Sequence, residues 1–232
     1  MTFKAVLFDL DGTLVDARVQ AWALFQETSL EFNLGINSQE EFFQLSERNF
    51  FTGLVEHCKD ESAAAAATQH YMDVVRERYN PPFIPGIFDV ISELAEHATL
   101  AILSSNMHDT IRRILESGGV TQYFSYIFAG DHEPSKAIAI EKFLAGTSVG
   151  QAHGSSVAPR PVRYVPSEVG MVTDTVGDVG EARASGIRVC GVNWGMHTEA
   201  KLRAAGADHV ARTPQELVEW FNQKHGALAA GA

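Results

Sequence analysis

Asp9 and Asp11 stand two residues apart at the end of a short apolar run and are followed by Gly12 and Thr13. Far along the chain, Ser104, Ser105 and Asn106 close a second apolar run, Lys136 opens a helical stretch, and Asp174 and Asp178 follow a further run. Carboxylates held close together repel and resist ionising at once. A hard divalent cation relieves that repulsion, and Mg2+ takes one or two carboxylates together with phosphate oxygens. An ammonium, two hydroxyls and the N–H groups of helix starts suit the phosphoryl group itself. In such a set one carboxylate can attack phosphorus and form an aspartyl-phosphate, while a second, two residues on, acts as general acid and then base. Each residue alone also has a plainer reading. Asp11-Gly12 is a turn dipeptide, the serines end a strand and cap a helix, and Asp174 and Asp178 are an N-cap and a first-turn acid. Lys136 fits its plain reading poorly, because the helix dipole disfavours a cation at a helix start.

These residues meet only if the elements between them deliver them to one edge. Short apolar runs bounded by turn residues predict strands over 3–8, 99–103, 126–128, 170–173, 187–191 and 209–211. Helical stretches over 87–97, 110–116, 135–144, 179–185, 198–204 and 214–222 alternate with them. This alternation predicts an α/β fold, a doubly wound, Rossmann-like parallel sheet with helices on both faces. Ligands of such sheets bind beyond the carboxyl ends of the strands, where all the polar residues named above fall. Residues 16–81 differ in texture. Gly and Pro are scarce, and apolar residues recur at helical spacing, with Trp22, Phe25, Phe42, Phe43 and Phe50 reading as a core of their own. The expected organisation is an α/β core from 1–15 and 82–225, a small inserted helical domain at 16–81, and a frayed tail at 226–232. The Gly-, Ser- and Pro-rich stretch 146–170 reads as a loop insertion with a small extra strand at 162–165.

The chain has 232 residues, is 45% hydrophobic, and carries 29 acids against 18 bases for a net charge of −11. That balance argues against a nucleic-acid partner, which needs basic patches to meet phosphates. Cys58 and Cys190 are too few for a disulfide framework and read as packed thiols. No apolar run approaches the roughly 18 residues of a membrane span. The first apolar stretch is cut short by Asp9 and Asp11 rather than extended into a secretory signal. A cytoplasmic protein without membrane association, monomeric or a small homo-oligomer, is expected. None of the nine histidines shows close ligand spacing, so none is assigned to a metal.

Four segments together resemble the haloacid dehalogenase-like hydrolases. FDLDGTLVD at 8–16 resembles their first motif, and ILSSN at 102–106 their second. Lys136 is similar to the lysine of the third, and TDTVGDVGEARASGI at 173–187 to the fourth. Order and spacing match over nearly the whole chain, and the nearest subgroup is the phosphoglycolate-phosphatase and β-phosphoglucomutase-like one. The resemblance implies that 16–81 is an α-helical cap and that a small phosphorylated metabolite is the substrate. It also implies roles. Asp9 would be the nucleophile and a Mg2+ ligand, and Asp11 the acid/base, lending its carbonyl to the metal. Ser104 and Ser105 would hold phosphoryl oxygens, and Lys136 would neutralise charge on Asp9 and the phosphoryl group. Asp174 would ligate the metal, Asp178 would support the metal's surroundings or Lys136, and Gly12 and Thr13 would shape the turn after the first motif. The chain departs from the pattern at Thr173, where Gly is usual, and at Ala137, where Pro is common.

The resulting expectation is a Mg2+-dependent phosphomonoester hydrolase working through an aspartyl-phosphate, phosphoglycolate phosphatase-like in character. A β-phosphoglucomutase-like phosphomutase would use the same core but needs helical-domain bases to grip a second phosphate; only Arg18, Arg48, Lys59, Arg76 and Arg78 are present there. A dehalogenase or a phosphonate hydrolase departs at the position of Asp11. A non-catalytic phospho-ligand-binding protein is the alternative from a different class. Arg48 and Asn49 are candidate substrate contacts in the helical domain.

Overall fold

The computed structural model describes residues 3–48, 50–147 and 162–223; the side chains at 46–52 lie outside that description. The chain divides into two compact units, one of residues 1–16 with 82–232 and one of 17–81.

The larger unit begins with β1 (Ala5–Phe8), whose four residues are all buried. Continuous burial is what a strand covered on both faces requires, and it explains why the run is apolar rather than alternating. The smaller unit follows, and its described residues form four helices: α1 (Ala17–Glu31), α2 (Gln39–Arg48), α3 (Phe50–Val55) and α4 (Glu61–Arg78). Its core gathers Phe25, Leu34, Ile36, Phe42, Leu45, Leu54 and Ala67, with Trp22, Phe43 and Tyr71 packed against them. Phe25 is the hub, 4.8 Å from the Phe42 ring and edge-on to Tyr71 at 5.4 Å. The Asp60 carboxylate accepts the Ala63 N–H at 2.8 Å, capping α4 in place of the missing helical carbonyl.

The larger unit resumes with α5 (Ile87–Ala95), β2 (Thr99–Ser104), α6 (His108–Ser117), β3 (Phe124–Ala129) and α7 (Lys136–Ala145). It closes with β4 (Val169–Thr173), α8 (Val176–Ala184), β5 (Arg188–Val192), α9 (Glu199–Ala204), β6 (His209–Ala211) and α10 (Pro214–Asn222). The six strands among the described residues all pair in parallel, in the order β3-β2-β1-β4-β5-β6. The winding reverses at β1, which lies between β2 and β4. Such a reversal opens a crevice at the carboxyl ends of the central strands, where the two connections leave in opposite directions. The doubly wound parallel sheet is as expected. The proposed strand at 162–165 is not: Val162 to Val165 is irregular chain leading into a single 3-10 turn at Pro166–Glu168. Tyr164 sits there in the core, stacked 4.9 Å from Phe143, with its hydroxyl donating to Thr99 Oγ1. One anchored aromatic thus replaces ladder pairing. Most of the expected insertion (148–161), the tail at 226–232 and Asn49 lie outside the described residues, as does the Arg48 side chain. No helix among the described residues is long and apolar enough to cross a membrane.

Candidate active site

β1 ends at Phe8, and the next residue, Asp9, is still tied to the sheet by its N–H to the Val172 carbonyl at 2.9 Å. Its carboxylate is therefore delivered at the reversal point and is buried. Gly12 adopts φ 77°, a left-handed turn costly for any residue with a Cβ. A Cβ at Gly12 would also overlap the Asp174 carboxylate. The first turn after β1 and the first residue after β4 are thus packed against each other with no room for a side chain between them.

Lys136 is the first residue of α7, whose N-cap Ser135 accepts the Ile138 N–H. Its ammonium donates to Asp9 Oδ1 at 2.7 Å and to Asp178 Oδ2 at 2.6 Å, and the lysine side chain is only 11% exposed. Two carboxylates offset the unfavourable dipole position noted in the sequence. Burial alone would push the ammonium's pKa down, but Asp178 and Asp9 together hold it above its ordinary range. Burial pushes the Asp9 carboxyl well above the usual carboxylate range; Lys136 pulls it back, and Asp178 and Asp174 push it further up.

The helix cap of α8 is Thr175, whose hydroxyl accepts the Asp178 N–H. Asp174, the residue before it, is therefore spared capping duty. One of its oxygens, Oδ2, accepts the Met196 N–H at 2.7 Å. The other, Oδ1, is buried with no hydrogen-bond partner. Burial raises this carboxyl to about 6, against the pull of the Met196 N–H and with a further push from Asp178. An orphaned buried carboxylate oxygen is costly unless a cation or donor meets it. No set of three or more His, Cys, Asp or Glu side chains among the described residues is gathered so as to hold a metal by itself. The residues instead fit an ion that needs only one or two carboxylates and takes further oxygens from backbone, water or substrate, which is the habit of Mg2+.

Asp11 is half-buried, and its Oδ2 accepts the Asn106 amide at 3.0 Å. Ser104, buried at the end of β2, accepts the Asn106 N–H at 3.1 Å. Ser105 is exposed; its carbonyl lies so close to Gly130 that a Cβ there would overlap it. Thr13 is fully buried with an unpartnered hydroxyl, and its carbonyl accepts the Trp194 indole N–H at 3.1 Å. The described contacts therefore join Asp9, Lys136 and Asp178 in one group, Asp11, Asn106 and Ser104 in another, and Gly12 with Asp174 in a third. The Thr13 hydroxyl joins none of them.

Sequence reasoning missed the loop after β5. Trp194 holds Thr13, the Met196 N–H holds Asp174, and the His197 N–H reaches the Asp174 carbonyl at 3.2 Å. His197, buried, accepts the Val176 N–H on Nδ1. Extending the strand-end search to Asn193-Trp194-Gly195 would have found this loop. A Cβ at Gly195 would overlap the Asp174 side chain. Gly195→Ala is accordingly expected to lower the melting temperature by about 4–8 °C, the scale of an overpacked buried contact. Thermal melts check this; an unchanged melt would mean that the loop is not seated on Asp174. Asn106 was likewise overlooked as the partner of Asp11, although it closes the second motif.

Residues 6–192 match the family described as haloacid dehalogenase-like hydrolase. The chain is similar to a probable phosphatase IndB of Dickeya dadantii, 28% identical over 97% of this chain and 93% of that protein. It is also similar to a phosphoglycolate phosphatase of Synechococcus elongatus, 26% identical over 95% and 98% respectively. Its fold resembles that of a haloacid dehalogenase-like family hydrolase from Streptococcus pneumoniae, with a TM-score of 0.79 at 24% identity, covering 95% and 99% of the two chains.

Proposed function

The chain belongs to the haloacid dehalogenase-like hydrolase family, and from that premise we propose that it is a Mg2+-dependent phosphomonoesterase acting on a small phosphorylated metabolite. The observation that carries this reading is the Lys136 ammonium shared between Asp9 and Asp178, beside an Asp174 carboxylate with one unpartnered oxygen. Relatives named phosphatase, one of them a phosphoglycolate phosphatase, support the same direction.

In this reading Asp9 attacks phosphorus, forming a carboxylate O–P bond as the ester O–P bond breaks. Asp11 gives its proton to the departing alkoxide. The Asn106 amide holds Asp11 Oδ2 and so orients the carboxyl. Water then attacks the aspartyl-phosphate and Asp11 takes the water's proton, which returns Asp9 as carboxylate and releases inorganic phosphate. Lys136 orients Asp9 through Oδ1 and offers a fixed positive charge to the phosphoryl oxygens as negative charge spreads over them. Ser104, with the backbone at Ser105, is assigned to the phosphoryl oxygens. Asp9, Asp174 and the Asp11 carbonyl would hold Mg2+, which when bound supplies Lewis-acid charge to the phosphoryl group. The helical unit, spliced into the chain between Asp16 and Pro82, is assigned the role of a cap that restricts access to small substrates.

The test is inorganic phosphate release from a panel of small phosphomonoesters, phosphoglycolate and sugar phosphates included, with and without Mg2+. Mg2+-dependent release supports the reading. No release from any compound overturns it and brings forward phosphosugar interconversion or plain ligand binding.

Metal binding also has a pH signature. The folded-state value of Asp174, about 6, lies above its ordinary one. Its contribution to stability is therefore fully present below the ordinary carboxylate range and is lost as pH rises through 6. Mg2+ needs the ionised form and recovers that loss. The melting temperature is expected to rise with Mg2+ at pH 7.5 and to change little at pH 5. Equal Mg2+ shifts at both pH values would count against Asp174 as a ligand.

A further inference from the structure

Thr173 occupies a position where the family pattern usually carries glycine, and the structure gives its hydroxyl two partners. It is fully buried at the end of β4. The hydroxyl donates to Asp178 Oδ2 at 2.6 Å and accepts the Thr175 N–H at 3.2 Å. The second contact matters because of where Thr175 and Asp178 stand. Thr175 is the N-cap of α8 and Asp178 lies three residues on, the spacing of a capping box. In a capping box the acid at the third position reaches back to the N–H of the cap residue. Here Thr173 takes that N–H instead. The Asp178 carboxylate is thereby released from the helix end, and the Thr173 O–H meets the same oxygen that receives Lys136.

We propose, on the phosphatase reading above, that Thr173 is a positioning residue for Lys136. Its hydroxyl removes the helix-capping alternative open to Asp178 and locks that carboxylate beneath the ammonium shared with Asp9. A Ser at this position keeps both hydrogen bonds. A Val keeps the shape, loses both, and leaves the Thr175 N–H free to draw Asp178 away. The effect falls on the charge presented to the transferring phosphoryl group rather than on the outline of the pocket, so it belongs mainly to kcat.

The experiment compares wild type, Thr173→Ser and Thr173→Val by two independent readouts. One is kcat and KM for the best phosphomonoester. The other is the side-chain ammonium resonance of Lys136 in protein labelled with 15N-lysine, assigned by its loss in Lys136→Arg. Thr173→Val is expected to lose on the order of tenfold in kcat with KM changed about twofold at most, the scale of a lost charge-assisted hydrogen bond. The Lys136 resonance is expected to move or broaden in Thr173→Val and to stay in place in Thr173→Ser, which retains kcat. Equal losses in the Ser and Val variants would make Thr173 a packing residue and overturn the proposal. So would a Lys136 resonance unmoved in Thr173→Val, whatever happens to kcat. If the wild type releases no phosphate from any compound, the phosphatase reading fails, while the resonance still decides whether Thr173 positions Lys136.

Discussion

Asp9→Asn is expected to abolish phosphate release, a loss on the order of ten-thousandfold, while the melting temperature of the metal-free protein stays level or rises. The two halves have one cause. Asp9 is the assigned nucleophile, and an amide oxygen cannot form the aspartyl-phosphate, so what remains is the small rate that binding and electrostatics alone provide. Its carboxylate is also buried, and burial raises its pKa well above the ordinary range. Ionised Asp9 therefore costs the fold stability at neutral pH, and a neutral isostere removes that cost. Lys136 keeps Asp178 as a partner in the variant, so no cation is orphaned. Phosphate-release kinetics and a thermal melt on the same preparation check both halves. Retained turnover would remove Asp9 from the chemistry, and a collapsed melt would mean that Asp9 holds the fold rather than burdening it.

Lys136→Met should damage stability and activity together. The ammonium is the only cation shown between Asp9 and Asp178 among the described contacts. Its removal leaves two buried carboxylates facing each other, and breaking a buried pair in this way costs about 3–5 kcal/mol. Activity should fall about a hundredfold or more, since a fixed charge on the developing phosphoryl oxygens is lost. With the cation gone, the Asp9 carboxyl loses the group that pulls its raised pKa back, so its protonation relieves the strain. Denaturant unfolding of the variant should show stability recovering as pH falls toward 5. The double variant Lys136→Met with Asp178→Asn should regain much of the stability at pH 7 and none of the activity. Full stability in Lys136→Met alone would refute the shared-ion arrangement.

Much of this could be read from the chain before any coordinates. Asp9, Asp11, Lys136, Asp174 and Asp178 all follow apolar runs or open helices, and a parallel sheet sends every such position to its carboxyl edge. The apolar runs were legible because strands buried on both faces need no alternation. Their ends were less so. β3 begins at Phe124 rather than at 126 and α6 at His108 rather than at 110, because polar Ser125 interrupts the apolar run and His108 and Asp109 are weak helix formers. Asp174 read as a metal ligand, with a helix cap as its plainer alternative. The structure decides for Thr175 as the cap, since two adjacent capping-competent residues differ only in where the backbone turns.

The sequence by itself therefore determined the fold class, the edge on which the polar residues collect and the candidates proposed for phosphoryl chemistry. Those follow from hydrophobic period, turn residues and side-chain chemistry, all of which are local. Only the tertiary structure decided who partners whom. Lys136 between Asp9 and Asp178, Asn106 on Asp11, and the Met196 and His197 N–H groups on Asp174 all depend on distances across segments far apart in the chain, and Thr173 turning Asp178 away from its own helix end depends on where the backbone turns after β4. A hydrogen bond is specified to a few tenths of an ångström, and no spacing along one strand carries that information about another.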